Sequence, residues 1–412
     1  MKMNKSWVFA IIKWAGKITI LILLLVTISC KNNKTNDPDI SDSDTVILKV
    51  GNNKEFKTIT AAASVATDDC IIEIDAGTYT GDVARWKQNN LIIRAVGGEV
   101  ILDAAGKHIG GVGIWEINGG TISVEGITFK NAKVPDENGA GIRLSSGFVT
   151  IKNCRFLNNE NGILVGNDGI STLTVQNSEF GYNGAGDGYS HNIYVGKIAK
   201  FSVSGSWFHH ANIGHLIKTR AAVNLITYNL IADGSDAQSK ASYEIDFASG
   251  GMAVVKGNII QQSRTTENPI IISYSREDSW PWEDNELHVS HNTIVNNRAG
   301  TSLVISAPES IHIGAYNNLL SKNTRFDVDL MNIETGNVWF ETEDLTADYA
   351  PKKSAYDSWI GKIDSDVDRH TTSKLKDMDI SLVPSAVYKH PMMVKPLEKI
   401  PNIPGAVQDP AL

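Results

Sequence analysis

The sequence predicts an all-β chain wound as a parallel β-helix, with a short helical cap at its N-terminal end and a C-terminal extension. Three observations predict it. Strand-like motifs recur every 21 to 30 residues between about residue 90 and residue 320. Those motifs alternate apolar and polar residues with period two. Gly and Asn crowd the segments between them, and no helical pattern in that span is long enough for helix-pair repeats. A repeat of this kind cannot bury its apolar face alone and must stack on the next one.

In chain order, the first element is a targeting segment. Lys2, Lys5, Lys13 and Lys17 precede the apolar run ITILILLLVTIS, which leads to Cys30. A basic region, an apolar core and a small residue (Ser29) before a cysteine form the pattern of a bacterial lipoprotein signal spanning residues 1–29. Ile28 is bulkier than the usual residue at its position, so a retained membrane anchor is the other reading. Cleavage would make Cys30 the acylated first residue, and residues 30–45 read as a polar tether from a membrane in the cell envelope.

The full chain of 412 residues has a formal net charge of -8. Its first 29 residues hold four Lys and no acid, so the chain without them has 34 basic and 46 acidic residues. Such a surface does not attract nucleic acid. A local basic groove for an anionic sugar polymer remains compatible with it. Of three cysteines, Cys70 and Cys154 lie in apolar strand contexts and are expected to be core fillers, unpaired and without metal.

Residues 46–80 read as the cap of a β-helix domain over 46–326. The stretch FKTITAAASVATDD places Ile59, Ala62, Ala63 and Ala66 at helical spacing, and CIIEIDAGTYTGD follows as a strand ending in a Gly turn. An open solenoid end exposes unpaired backbone, so a covering helix is needed there. Phe56, Ile59, Ala62, Ile72, Ile74, Gly77, Thr78 and Tyr79 carry a resemblance to the pectin-lyase-like superfamily of right-handed parallel β-helices. With the repeats it spans roughly residues 46–325. That resemblance implies fold strongly and activity weakly, because the superfamily includes lyases, hydrolases, epimerases and phage tailspikes.

The repeats themselves fall into two families. AGIRLSS, NGILVGN, HNIYVGK, HLIKTRA and YEIDFAS centre on Ile142, Ile163, Ile193, Ile217 and Ile245. VTIKNCRF, LTVQNSEF, FSVSGSWF, NLITYNLI, AVVKGNII and LHVSHNTIV form the second. Asn153, Asn177, Asn258 and Asn292 sit at similar places there and are expected to form one turn ladder. Beyond the repeats, residues 327–412 read as an extension packing on the solenoid.

Aligning the first family on its isoleucines turns sequence into columns. Successive side chains alternate faces, so Arg143, Leu164, Tyr194, Lys218 and Asp246 should face out. By the same parity Gly141, Gly162, Asn192, Leu216 and Glu244 should face out beside them, as should Ser145, Gly166, Gly196, Arg220 and Ala248. His191 and His215, in line with Asn161 and Tyr243, should point inward unless a turn swings them to the rim.

Tyr194, Lys218, Arg220, Glu244 and Asp246 would then share one exposed patch, with Arg143 further along. Either it is a solvated ion-pair ladder or it is a site. Gly162, Gly166 and Gly196 would leave a trough beside it, and the insert GYNGAGDGYS (181–190) would lengthen the adjoining wall. The turn YSREDSWPWEDNE (274–286) brings Trp280 and Trp282, which would stack on sugar rings or cover the solenoid edge. His209 and His210 are adjacent, so on a strand they should face opposite ways, and no zinc site is expected.

Such a patch suits acidic polysaccharides. β-Elimination needs the uronate carboxylate neutralised, its C5 proton removed and the leaving oxygen protonated. Arg220 would clamp the carboxylate, Lys218 or His215 would be the base, and Tyr194 or His191 the acid. Arg143, Asn192, Trp280 and Trp282 would bind substrate, and Glu244 with Asp246 would hold Ca²⁺. The resemblance implies a polysaccharide lyase of this kind, although no diagnostic lyase motif is present. A C5-epimerase uses the same proton abstraction. A non-catalytic carbohydrate-binding surface lipoprotein is the reading from another class.

Overall fold

Apolar residues at every second position bury themselves by coiling, and each coil lends its backbone to the next. The computed structural model describes residues 45–410, apart from 267, 278–280 and 328. The targeting segment, Cys30 and Trp280 therefore lie outside the described residues.

Three columns of parallel strands run along the solenoid. The first passes through Ala140–Lys152, Asn161–Val165, Ile193–Val195, Ile217–Thr219, Ile245–Phe247 and Ile270–Tyr274. Ile142 pairs with Ile163, Ile163 with Ile193, and Ile217 with Ile245, so the isoleucines form one interior line. The second column includes Thr172–Gln176, Lys200–Ser204, Val223–Thr227, Met252–Lys256 and Glu286–Ser290. The third includes Arg155–Leu157, Glu179–Gly181, Trp207–His209, Leu230–Ala232 and Ile259–Gln262. Its interior holds Phe129, Phe156, Phe180 and Phe208, stacked at centroid spacings of 5.1, 4.8 and 4.7 Å. These spacings match the distance between coils, so each ring covers the next.

A helix, Ile59–Val65, closes the N-terminal end. Thr58 caps it, and Asp82 accepts from the Ile59 and Thr60 amides. Cys70 and Cys154 are buried, free thiols. Burial pushes the Cys154 thiol up to about 12, which suits packing and not reactivity.

The asparagines divide between two adjacent positions. Asn153 and Asn177 take left-handed backbone, with φ of 52° and 50°, where Gly205 and Gly257 stand in other coils. The next position carries the ladder. Asn229, Asn258, Asn292, Asn318 and Asn337 each accept, through Oδ1, the backbone N–H of the preceding coil. The single-ladder expectation is thus one residue out of register for Asn153 and Asn177.

Solenoid strands continue to Val338–Phe340, beyond the boundary at residue 326 read from the sequence. The extension then folds back over the second and third columns. Lys256 Nζ donates to the Ser381 carbonyl at 2.6 Å, and Ser290 Oγ to that of Leu382 at 2.8 Å. Leu375 and Leu382 pack on Met252, Val254 and Tyr316, while Tyr388 and Ala406 pack on Leu230 and Ile259. None of these contacts falls on the outer face of the first column, where the charged residues stand. Among the described residues no helix is long and apolar enough to cross a membrane.

Candidate active site

Along the outer face of the first column, register places Arg143 beside Leu164, Leu164 beside Tyr194, Tyr194 beside Lys218, and Lys218 beside Asp246. Arg220 follows two residues after Lys218. Its Nε donates to the Tyr194 hydroxyl at 2.9 Å and its Nη1 to Ser249 Oγ at 3.1 Å, which fixes the guanidinium plane. Both cations lie over the Tyr194 ring, Lys218 Nζ at 5.5 Å and Arg220 Cζ at 5.8 Å from its centroid. Arg143 is part-buried on the same line; burial pulls its guanidinium down, while Glu116, Asp136 and Tyr194 push the other way.

Below Lys218, Asp246 is 1% exposed, and neither carboxylate oxygen has a hydrogen-bond partner. Lys218 Nζ stands 3.8 Å from it and His215 Nε2 3.6 Å. Burial pushes the Asp246 carboxyl up to about 6, against the pull of Lys218.

The histidines occupy a ladder at the start of the strands. Asn161 Oδ1 accepts from the His191 amide at 2.9 Å, His191 Nδ1 from the His215 amide at 2.9 Å, and His215 Nδ1 from the Tyr243 amide at 3.3 Å. Each imidazole accepts through Nδ1, so this network assigns the proton of both rings to Nε2. The rings stack at 4.6 Å and 18°. Burial brings His215 down to about 3 and carries His191 well below its ordinary value. Both are neutral donors, which removes His215 from the role of base.

Parity fails at these positions for a physical reason. The strands Ile193–Val195, Ile217–Thr219 and Ile245–Phe247 are only three residues long, so the residues before them obey turn geometry. His191 and His215 therefore swing to the site side. Asn192, Leu216 and Glu244 turn inward instead. Asn192 is fully buried and holds Asn183 and the His209 carbonyl at 2.8 and 2.9 Å, so it does not line a substrate surface. Glu244 is fully buried against Gln262, and burial raises its carboxyl well above the usual range. Glu244 and Asp246 thus do not converge, and the expected Ca²⁺ pair is not formed.

Three other groups do converge: His215, Asp246 and Glu277 bring one ligand atom each within 4.8 Å of one another. Lys218 already stands among them, 2.6 Å from Glu277 Oε1. A divalent ion there would have to bind against an ammonium and a guanidinium, so these residues do not fit a calcium site.

Glu277 is the residue that sequence reasoning missed. It lies in the charged turn after Ile270–Tyr274, and its carboxylate bridges Lys218 Nζ and Arg220 Nη2. Its signal was only that turn's density of charge. Trp282, in the same turn, donates its indole N–H to the Arg220 carbonyl at 3.0 Å, which pins the turn to the site. Gly162, Gly166 and Gly196 form no trough. A Cβ on each would lie 2.3, 2.9 and 2.1 Å from a neighbouring backbone oxygen, so they permit close coil packing. The 181–190 insert is held by Asp187, which accepts from Tyr189 and Ser190.

A second histidine pair lies at the end of a third-column strand, Trp207–His209. His210 has φ of 48°, which ends the strand Trp207–His209 and brings both rings to one side. Their Nδ1 atoms are 2.7 Å apart, correcting the expectation of opposite faces. Glu179 lies 3.2 Å from His209 Nε2, and Asp236 lies 3.2 Å from His210 Nε2.

The architecture is a parallel β-helix whose first column carries a line of charged residues on its outer face. Solved structures with a similar fold include the pectate lyase Pel9A, at 13% identity over 74% of this chain and 84% of that one, with a TM-score of 0.48. Pectin methylesterase PemA from Erwinia chrysanthemi shares 14% identity over 80% and 97%, with a TM-score of 0.27. ORF18 of Geobacillus virus E2 shares 11% over 67% and 53%, with a TM-score of 0.35. No family model matches the chain, and a search of curated proteins gives no match. The fold is given by this chain's own strand pairing, and likeness at this level adds no argument to it.

Proposed function

We propose that the chain is a carbohydrate-active enzyme that cleaves an acidic polysaccharide by β-elimination at a uronate. The observation that carries this reading is the Lys218–Arg220 pair on the outer face of the first column, bridged by the Glu277 carboxylate. Arg220, its plane set by Tyr194 and Ser249, neutralises the uronate carboxylate and so acidifies C5–H. Lys218 Nζ, acting as the neutral amine after its ammonium proton has passed to solvent, takes the C5 proton. The C4–O bond then breaks, its electron pair leaves on the glycosidic oxygen, and a C4=C5 double bond forms. Tyr194 O–H protonates the departing oxygen. His215 packs beside Asp246, with Nε2 3.6 Å from the carboxylate, and limits where that carboxylate can stand under Lys218.

Incubating the protein with a panel of uronans and following the ultraviolet absorbance of the unsaturated product tests the reading. Absorbance on one polymer, lost in Lys218→Ala, is the expected result. Solvent-deuterium incorporation at C5 without absorbance would instead identify an epimerase. Neither signal on any polymer, together with saturable binding, would identify a binding protein. The proposal includes anchoring through Cys30, which rests on residues 1–30. Incorporation of labelled palmitate, abolished in Cys30→Ser, tests it.

A further inference from the structure

The geometry points to Glu277 as a resident carboxylate that holds the substrate's place. It occupies the position of the uronate carboxylate on Lys218 and Arg220, so the site admits only ligands whose own carboxylate displaces it. This rests on the uronate reading above.

Four features carry it. Glu277 Oε1 accepts from Lys218 Nζ at 2.6 Å while Oε2 accepts from Arg220 Nη2, the two-oxygen grip that a bound uronate would use. Its backbone N–H donates to the Ala248 carbonyl at 3.3 Å, at the edge of the coil. Its side chain is 39% exposed, against 10% for Lys218 and 14% for Arg220. The cations are thus built into the coil, and the carboxylate that covers them reaches in from outside. Beneath them Asp246 stays with Lys218 whatever Glu277 does.

Displacement hands both bonds to the incoming carboxylate, whose two oxygens accept from Lys218 Nζ and Arg220 Nη2 in place of Glu277 Oε1 and Oε2. A neutral sugar offers nothing to replace either bond, so it leaves Glu277 in place. Specificity for the acidic sugar therefore follows from one side chain.

Calorimetric titration of the full chain with galacturonate, glucuronate and galactose tests this without requiring turnover. If the competent state is about a tenth of the population, Glu277→Gln tightens uronate binding about tenfold. Galactose binding stays unchanged, and Arg220→Ala placed on top of Glu277→Gln abolishes the gain. Glu277→Ala, which removes the carboxylate altogether, gives the same direction. Unchanged or weaker uronate binding in both Glu277 variants, with melting temperatures near that of the parent, overturns the inference. So does equal tightening toward galactose. Tighter uronate binding without absorbance on any uronan upholds the resident carboxylate and rejects the lyase reading, so the two failures are distinguishable.

Discussion

Two pairs of histidines sit within one stretch of the solenoid and are used in opposite ways. His191 and His215 are a full coil apart, and each gives its Nδ1 to a backbone amide of the next coil. His209 and His210 are adjacent in sequence, and their Nδ1 atoms face each other between Glu179 and Asp236. In the first pair the fold has consumed one nitrogen of each ring, which leaves one fixed donor toward the charged site. In the second the rings serve each other, one Nδ1 donating and the other accepting. Residue type is identical; which neighbour claims Nδ1 decides the chemistry.

The largest expected effect separates the pairs by activity. His215→Asn removes the imidazole packed 3.6 Å from Asp246 and should lower kcat/KM by about 10- to 100-fold, through misplacement of the groups beside it. His210→Asn should leave it within twofold. Initial rates on the polymer that responds best measure both. Equal losses would mean that the second pair also belongs to the site.

Stability against pH sharpens the same contrast. Asp246 is held at about 6, above its value of 3.8 in the unfolded chain. The native state therefore keeps a proton that the unfolded state has lost, and stability falls as pH rises from about 4 to about 6. His215 is the reverse, depressed from 6.5 to about 3, so its share of stability is lost as pH falls through that window. The two slopes oppose each other. Asp246→Asn removes only the first, so its stability relative to the parent should grow with pH, reaching about 3 kcal/mol above pH 7. Urea unfolding at pH 4, 6 and 8 reads the difference; a constant offset would show that Asp246 is not held protonated by burial.

Steric room gives the next effect. Gly181 pairs in register with His209, and a Cβ there would lie 2.2 Å from the imidazole. Gly181→Ala should destabilise by about 1–3 kcal/mol, the cost of overpacking, and should displace His209 from Glu179. Activity in the folded fraction should be retained, since the first pair is untouched.

These contrasts also show what a sequence can reveal. Isoleucine alignment gives the register of the first column because inward residues at period two tolerate little slippage. That is enough to set Tyr194, Lys218 and Asp246 side by side. It fails at Asn192 and Glu244, which precede strands of three residues, where turn dihedrals replace strand parity. It fails again at His210, where one left-handed residue reverses the expected face. Glu277 was hidden for a different reason. It meets Lys218 and Arg220 across 59 and 57 residues, through a turn whose path no periodicity describes.

The smallest effect is expected where the second pair meets solvent. Asp236 is 60% exposed, and the hydrogen bonds of Gln238 and His210 hold its carboxyl below the usual range. An exposed ion pair is screened by water and salt, and its partner must be kept in one rotamer. Asp236→Asn should therefore leave the melting temperature within replicate error, at low and at high salt alike. His191 and His215 are 1% and 7% exposed, and Asp246, the carboxylate 3.6 Å from His215, is itself buried. A clear fall in melting temperature for Asp236→Asn would mean that the adjacent pair depends on its outer carboxylate. The difference between the pairs would then lie in their charged neighbours and not in which group claims Nδ1.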